Sequence, residues 1–359
     1  MIKKTLSFLF AAMLAGQAMA ADFEKDGLYY NITSSDEPKT VELVREGGDF
    51  SNSYTNLTTV SIPETVVYND VTYSVTGIGE RAFYSCRKLE TVTASSIISI
   101  GEQAFEGCNE LTSATFGDNL QSIGYYAFSA CVKLESFTFG PSVKSIGEDA
   151  FAACYSLDTV IIPETVTEMG GFAFYNCSGL KSVTINTKKI ESGTFFQCSS
   201  LEDITFGNSV KVIGDRVLWS CTKLKNVTIG NSVDTIGESS FFSWEGFENL
   251  VSITVPNTVK SIGGGAFLKV PNVNYTGKAK GSPWGAYTVN GLIEGDFIYA
   301  DAKKEKITYY FGNGGDVVLE NAVKSLNNNL FDGCEGLQSI TLPESLEEIG
   351  NYAFYNCKN

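Results

Sequence analysis

The sequence predicts a repeat solenoid, a right-handed coil of about 23-residue units with a parallel β-sheet along one face. Two observations predict this fold class. A motif of the form Ile-Gly-x-x-Ala-Phe-x-x-Cys recurs along most of the chain. Between its copies, apolar residues alternate with polar ones in the pattern Leu-x-x-Val-x-Ile, which is typical of a short strand with one buried face.

The repeated segment sets the spacing of the units. Most neighbouring copies start 22 or 23 residues apart. One step of 26 residues contains three extra residues between Trp244 and Asn249, and one step of 64 residues contains an insertion. Self-similarity at such a period indicates stacked units. The copies begin at Ile78, Ile100, Ile123, Ile146, Met169, Ile190, Ile213, Ile236, Ile262, Leu326 and Ile349.

One unit shows how the coil is built. Leu157, Val160 and Ile162 give the alternation of a strand, and Pro163 ends it. The chain then returns along another side of the coil to the next Ala-Phe pair, Ala173-Phe174. No unit can bury its apolar residues alone, so stacked neighbours must share one long core.

This unit closely resembles that of the BspA-like bacterial leucine-rich repeats, and the likeness runs from about 78 to 270 and from 317 to 359. The resemblance implies a leucine-rich-repeat coil. It also implies an exported, surface-exposed protein that adheres to host proteins or to other cells.

The chain divides into five predicted segments. Residues 1–20 form a signal peptide, 21–77 a β-rich N-terminal cap, and 78–270 the leucine-rich-repeat solenoid. Residues 271–314 form an insertion, and 315–359 continue the solenoid. The last copy stops directly after Cys357 without the strand that should follow, so we expect the sequence to be truncated there.

The first twenty residues have the features of a secretion signal. Lys3 and Lys4 precede an apolar run from Leu6 to Leu14, and Ala18-Met19-Ala20 fits a cleavage site. Removing the signal takes away two lysines and changes the formal charge from −15 to −17. Such a balance argues against nucleic acid or anionic lipid as a partner. The rest of the chain has no apolar stretch long enough to cross a membrane.

The composition also argues against catalysis. Histidine is absent, which excludes Ser-His-Asp and Cys-His mechanisms and most zinc and haem sites. Carboxylates are plentiful, but they lie at variable surface positions of the unit. We therefore expect no enzyme activity, no cofactor and no metal.

The cysteines hold one position of the unit. We interpret them as buried free thiols; the alternative is disulfides between stacked coils, which the spacing of strands does not forbid. Their number is odd. Trp244 and Val270 take the same place in two units, which predicts that this position needs only an apolar filler. The nine are Cys86, Cys108, Cys131, Cys154, Cys177, Cys198, Cys221, Cys334 and Cys357.

Two hairpins are predicted outside the regular units. Asn69-Asp70 separates alternating valines and tyrosines in the cap. In the insertion, Phe297 to Ala300 and Ile307 to Phe311 read as strands of a β-hairpin that bulges from the solenoid. Trp284 is either a residue packed under this hairpin or an aromatic residue for binding.

Two rows of surface residues are candidates for binding. The first, the hydroxyl face, consists of outward strand positions, although threonine also suits exposed strands for structural reasons alone. The second, the aromatic ridge, follows the repeat Phe in four successive units, although packing between coils explains it about as well. The hydroxyl face comprises Ser113, Thr115, Ser136, Thr138, Thr159, Ser182, Thr184, Thr205 and Thr228. The aromatic ridge comprises Tyr175, Phe196, Trp219 and Phe242.

These observations favour a non-catalytic secreted or cell-surface binding protein, an adhesin for extracellular proteins, glycans or other cells. The alternative is a structural spacer that displays another domain. A carbohydrate-active enzyme is a remote third possibility, because a glycosidase needs only two suitably placed carboxylates.

Overall fold

The computed structural model describes residues 21–47 and 53–358. The predicted signal peptide lies outside the described residues. Helix in the described part is a single 3-10 turn, Ser53–Asn56, and no helix there is long and apolar enough to cross a membrane. The cap strands are β1 (Phe23–Lys25), β2 (Leu28–Ser34), β3 (Thr40–Val44), β4 (Thr59–Ser61), β5 (Thr65–Tyr68) and β6 (Val71–Ile78).

The regular units contribute two kinds of strand. Strands of three or four residues carry the Val-x-Ile pattern, and two-residue strands precede the repeated glycine. They are β7 (Thr91–Ala94), β8 (Ser99–Ile100), β9 (Ser113–Phe116), β10 (Ser122–Ile123), β11 (Ser145–Ile146), β12 (Thr159–Ile162), β13 (Glu168–Met169), β14 (Ser182–Ile185), β15 (Lys189–Ile190), β16 (Asp203–Phe206), β17 (Val212–Ile213), β18 (Asn226–Ile229), β19 (Thr235–Ile236), β20 (Ser252–Thr254) and β21 (Ser261–Ile262).

The C-terminal third adds nine strands. These are β22 (Asn272–Asn274), β23 (Thr288–Val289), β24 (Leu292–Glu294), β25 (Phe297–Tyr299), β26 (Lys306–Tyr310), β27 (Gly315–Val318), β28 (Ser325–Leu326), β29 (Leu337–Thr341) and β30 (Glu348–Ile349).

The strands form two parallel rows along the coil, as a solenoid requires. The face row contains β4-β7-β9, β12-β14-β16-β18, β20-β22-β23 and β27-β29. The second row contains β6-β8-β10-β11-β13, β15-β17-β19-β21 and β26-β28-β30. Equivalent residues pair in register, for example Val160 with Val183. The predicted solenoid with a parallel sheet is therefore confirmed.

The Phe of each repeat forms a column of stacked rings in the core. Phe128, Phe151 and Phe174 are fully buried, their ring centroids are 5.2 Å apart, and their planes differ by at most 9°. This distance is close to the spacing of neighbouring strands, about 4.7–4.9 Å. Ring stacking and backbone pairing therefore require the same rise per coil.

The repeated glycine is needed because successive coils come very close there. A Cβ placed on Gly147 would lie 2.5 Å from backbone atoms of Gly124 and Tyr125. The residue before most repeat cysteines has a positive φ, for example +54° at Asn176 and +62° at Gln197. Its backbone N–H donates to the next coil, as in the 2.8 Å bond from Gln197 to the carbonyl of Trp219.

The cysteines are free thiols, as predicted. Seven are buried, while Cys334 and Cys357 are partly exposed. In most coils the Sγ donates to the carbonyl oxygen of the repeat Phe in the preceding coil, as from Cys177 to Phe151 at 3.1 Å. Burial raises the pKa of the Cys86 and Cys177 thiols to about 12, so both are protonated at neutral pH. The thiols are core groups.

The predicted cap hairpin is present. Strands β5 and β6 pair antiparallel, with Tyr68 opposite Val71, and both Asn69 and Asp70 have positive φ, as a tight two-residue hairpin turn requires. Strand β4, however, pairs in parallel with β7 in the face row. Thr59–Pro63 thus repeats the pattern of Thr159–Pro163, and the first coil begins inside the segment assigned to the cap.

The insertion is built into the coil, which corrects the prediction of a bulging hairpin. β25 and β26 pair antiparallel as predicted, and β24 adds a third strand that the sequence analysis missed. However, β26 pairs in parallel with β28 through Ile307 and Leu326, and β22 and β23 extend the face row beyond β20. The insertion therefore supplies coil positions of irregular sequence.

The buried apolar residues form two separate clusters. The larger runs from Phe23 to Ala286, and the smaller from Tyr299 to Leu337 with Cys357 packed against it. The buried hydroxyls of Thr288 and Thr308 are hydrogen-bonded to each other between them. The insertion therefore divides the long core into two blocks.

Replacing Phe151 with Ala should lower the free energy of unfolding by about 3–5 kcal/mol, because the lost ring leaves a cavity between Phe128 and Phe174. Urea denaturation followed by circular dichroism measures this loss. Thr159→Ala, at an exposed strand position, is the control and should change stability by under about 0.5 kcal/mol. Equal stability of Phe151→Ala and the wild type would show that the ring is not internal.

The buried thiols predict a loss of stability in alkali. Their folded pKa values are raised, so the stabilisation is complete below the unfolded pKa of about 8.5 and is lost as pH rises towards 12. Across this window each thiol should lower the free energy of unfolding by about 1.4 kcal/mol per pH unit. Urea titrations at several pH values measure the slope. A Cys154→Ala, Cys177→Ala variant should show a shallower slope, and an unchanged slope would contradict this account.

Candidate binding surfaces

The hydroxyl face lies on the exposed side of the face row. In the unbroken sheet of β12, β14, β16 and β18, one register row joins Thr184, Thr205 and Thr228 across neighbouring strands. Within the described residues their hydroxyls have no hydrogen-bond partner in the protein. They do not form a bonded threonine ladder and remain open to solvent.

The hydroxyl face is interrupted, which corrects the expectation of one long sheet. Ser136 and Thr138 are exposed as predicted, but residues 136–139 form no strand and pair with neither β9 nor β12. Phe137 stands where other coils have Ala, Val or Ile. Its ring packs on Phe151 at 4.8 Å, and the ring of Phe139 does so at 5.6 Å. Two aromatic rings under one strand need extra room, which accounts for the lost pairing.

Charged and apolar groups also border the hydroxyl face. Ile161, 60% exposed, extends the Thr184 row, and Asp203 accepts a 2.5 Å hydrogen bond from the side-chain amide of Asn226. Beside the face, Lys181 lies 2.6 Å from Asp158 and lowers the pKa of that carboxyl. The face is therefore less uniform than the sequence pattern indicates.

The aromatic ridge is a continuous run of ring contacts. Tyr175 and Phe196 lie 5.8 Å apart between centroids, Phe196 stacks on Trp219 at 5.6 Å and 9°, and Trp219 meets Phe242 at 4.0 Å. The guanidinium of Arg216 lies 5.8 Å from the Trp219 ring. Tyr175, Phe196 and Trp219 are partly exposed, whereas Phe242 is only 4% exposed. Three ridge residues can therefore meet a ligand directly.

Trp244 lies outside the core, contrary to the prediction of an apolar filler. Its side chain is 66% exposed, while Phe247 is the buried aromatic residue of this coil. The three extra residues let the chain loop outward after Ser243 and return at Glu248, whose N–H donates to the carbonyl of Thr222. The 26-residue step was the signal in the sequence. The Trp244 ring stands perpendicular to Phe242 at 4.8 Å, so it extends the aromatic ridge.

A groove of about 400 Å³ lies beside Trp244 and runs across four coils. Residues that precede the repeat cysteines line one side of it. Ser243 holds the corresponding place in the last of these coils; it is 1% exposed, and its Oγ has no hydrogen-bond partner. The repeat pattern does not predict this groove, because its residues belong to different units. Its lining includes Asn176, Gln197, Ser220, Ser243, Trp244 and Glu245.

Trp284 is buried, in agreement with packing rather than binding. It is 5% exposed, and its Nε1 donates a 2.8 Å hydrogen bond to the carbonyl of Lys280. Its ring makes edge contacts with Phe267 and Tyr275 at 6.4 and 5.6 Å. It closes the end of the larger core block.

Comparison with protein families identifies the repeat. Six copies of the region described as BspA type leucine rich repeat match residues 76–188, 172–277 and 305–359. The chain belongs to the BspA-type leucine-rich repeat family. A comparison with curated proteins finds no match.

Several solved structures of leucine-rich repeat proteins are similar to this chain. One from Bacteroides ovatus is 26% identical, covers 94% of this chain and 93% of its own, and has a TM-score of 0.62. The T. pallidum leucine rich repeat protein is 29% identical, covers 56% and 90%, and has a TM-score of 0.48. A leucine rich cell surface protein from Faecalibacterium prausnitzii is 18% identical, covers 89% and 93%, and has a TM-score of 0.35.

The acidic side chains and thiols of the described residues offer no metal-binding geometry. Over residues 21–47 and 53–358, no three Asp, Glu or Cys side chains come together in a way that could hold a metal ion. The stacked thiols instead donate to backbone carbonyls. The surfaces described above are therefore the candidates for function.

Proposed function

We propose that this chain is an exported, non-catalytic adhesin that holds an extracellular protein or glycan on its aromatic ridge. The BspA-type repeat and its solved relatives suggest a non-catalytic binding or surface protein, and such repeats are typical of the cell surface. The predicted signal peptide supports export. The observation that carries the proposal is the run of contacting rings from Tyr175 to Trp244.

The repeat itself does not require these rings. The same unit position carries Glu106, Ser129 and Ala152 in three earlier coils, which stack equally well on their neighbours. Aromatic side chains offer a large contact area and lose few rotamers on binding. The partly exposed rings at neighbouring coils are therefore better explained by contact with a ligand than by stabilisation of the fold.

The hydroxyl face is the second candidate surface. The hydroxyls of Thr184, Thr205 and Thr228 are unpaired within the described residues, but the face offers little apolar area, and binding energy usually concentrates at aromatic anchors. We therefore place the principal contact on the ridge. A spacer would need neither surface, so loss of ligand capture on changing one of them distinguishes an adhesin from a spacer.

The ridge variant Tyr175→Ala, Phe196→Ser, Trp219→Ala should lose ligand capture, because it removes the exposed rings. Its new residues are those that Ser129 and Ala152 already supply at this position. Phe242 is left in place because it is buried. The matched face variant is Thr184→Arg, Thr205→Glu, Thr228→Arg, which should keep ligand capture and change stability by under about 0.5 kcal/mol per site.

The measurement is capture of extracellular-matrix proteins and glycans by the immobilised chain from residue 21 onward, with melting curves for each variant. Loss of capture by the face variant alone would transfer the site to the hydroxyl face. Capture of nothing in the screen by the wild type would refute the adhesin proposal and favour a spacer.

A further inference from the structure

We infer that the groove beside Trp244 is a binding site for a neutral oligosaccharide. The inference rests on the proposed binding function and names a ligand class and a site within it. It starts from the loop after Ser243, where the three-residue expansion turns Trp244 outward at the end of the aromatic ridge.

Trp244 provides an open aromatic face. Its ring is supported edge-on by Phe242, and its backbone carbonyl accepts a hydrogen bond from the Lys269 ammonium group. A tryptophan supported in this way but 66% exposed leaves a large apolar surface in water. The C–H face of a sugar ring is flat and apolar, and packing on the indole would cover that surface.

The polar lining of the groove matches sugar hydroxyls. Asn176 and Gln197 carry amides that both donate and accept, and Ser220 carries a hydroxyl that does the same. A sugar hydroxyl also donates and accepts, so these groups can satisfy it in either role. Together with Ser243 these residues come from four successive coils, so three strand spacings place them along about 14 Å of groove, which fits a short oligosaccharide.

Ser243 supplies an independent sign of a ligand. Its side chain is buried in the groove wall, yet its Oγ has no hydrogen-bond partner. Buried hydroxyls are almost always paired, because an unmade hydrogen bond costs about 1–3 kcal/mol. Ser243 lines the end of the groove, so a turn of its side chain to another rotamer would present the Oγ to a ligand hydroxyl and complete the missing bond.

The backbone around the groove disfavours a peptide. The N–H groups of Asn176, Gln197 and Ser220 already donate to carbonyls of the next coil at 2.7–2.8 Å. An extended peptide therefore finds no free strand edge to pair with. Glu245 lines the groove and the whole chain has a formal charge of −15, so sialylated and sulfated glycans would be repelled.

The test uses the chain from residue 21 onward on an array of neutral plant, fungal and animal oligosaccharides, with sialylated and sulfated glycans as comparison. A bound neutral oligosaccharide is then titrated by isothermal titration calorimetry, whose signal does not depend on Trp244. Trp244→Ala should weaken binding by about tenfold or more, and Trp244→Phe should retain most of it. Tyr352→Ala is the matched control, because Tyr352 is an equally exposed aromatic residue, 68%, in a distant coil.

Ser243→Ala separates binding from folding. Removing an unpaired hydroxyl should leave the melting temperature unchanged or raise it, yet it should weaken oligosaccharide binding several-fold. Failure of every neutral oligosaccharide to bind, or equal binding by Trp244→Ala and Tyr352→Ala, would overturn the inference. If the chain then still captures a protein through the ridge, the adhesin proposal stands and only the sugar site is wrong.

Discussion

The matching of two distances, between stacked rings and between paired strands, determines the geometry of the whole coil. Ring centroids in the Phe column from Phe83 to Phe195 lie 5.0–5.4 Å apart, and parallel strands prefer almost the same spacing. Leu218 interrupts the rings but fills the same buried position. Because the core rings and the paired backbone require the same rise per coil, equivalent residues of successive units form a straight row along the molecule.

These rows explain why buried and exposed positions of the unit tolerate substitution to different degrees. An inward position must suit the coil before it and the coil after it, so the repeated Ala, Phe and Cys vary little along the chain. An outward position is partly exposed and can change from Glu106 to Tyr175 without disturbing the stack. A surface patch therefore arises when a few neighbouring coils carry similar side chains at one exposed position. The aromatic ridge is such a patch.

The sequence predicted what depends on the repeat. Alternation and spacing were enough for the face row, the free thiols and the Asn69-Asp70 hairpin, because each follows from one unit or one turn. What depends on departures from the repeat was missed. Phe137 fits the apolar pattern but is larger than its counterparts in the paired strands. Trp244 fits the cysteine position of the pattern, but its side chain lies outside the core. Aligning the repeats assumes that each residue occupies the same structural position as its counterparts in the other units. An inserted loop makes that assumption invalid.

The parallel pairing of the insertion with the coil was missed for the same reason, since Ile307 occupies a repeat position without a repeat sequence around it.

The division of the core into two blocks has a consequence for durability. In a solenoid each coil is stabilised by packing against its neighbours. The irregular coils between Ala286 and Tyr299 interrupt this packing, because the two core clusters do not meet there. Fraying that starts at the C-terminal coils can therefore stop at the insertion. Proteases that cleave the smaller core block would leave a shorter molecule in which the aromatic ridge remains folded.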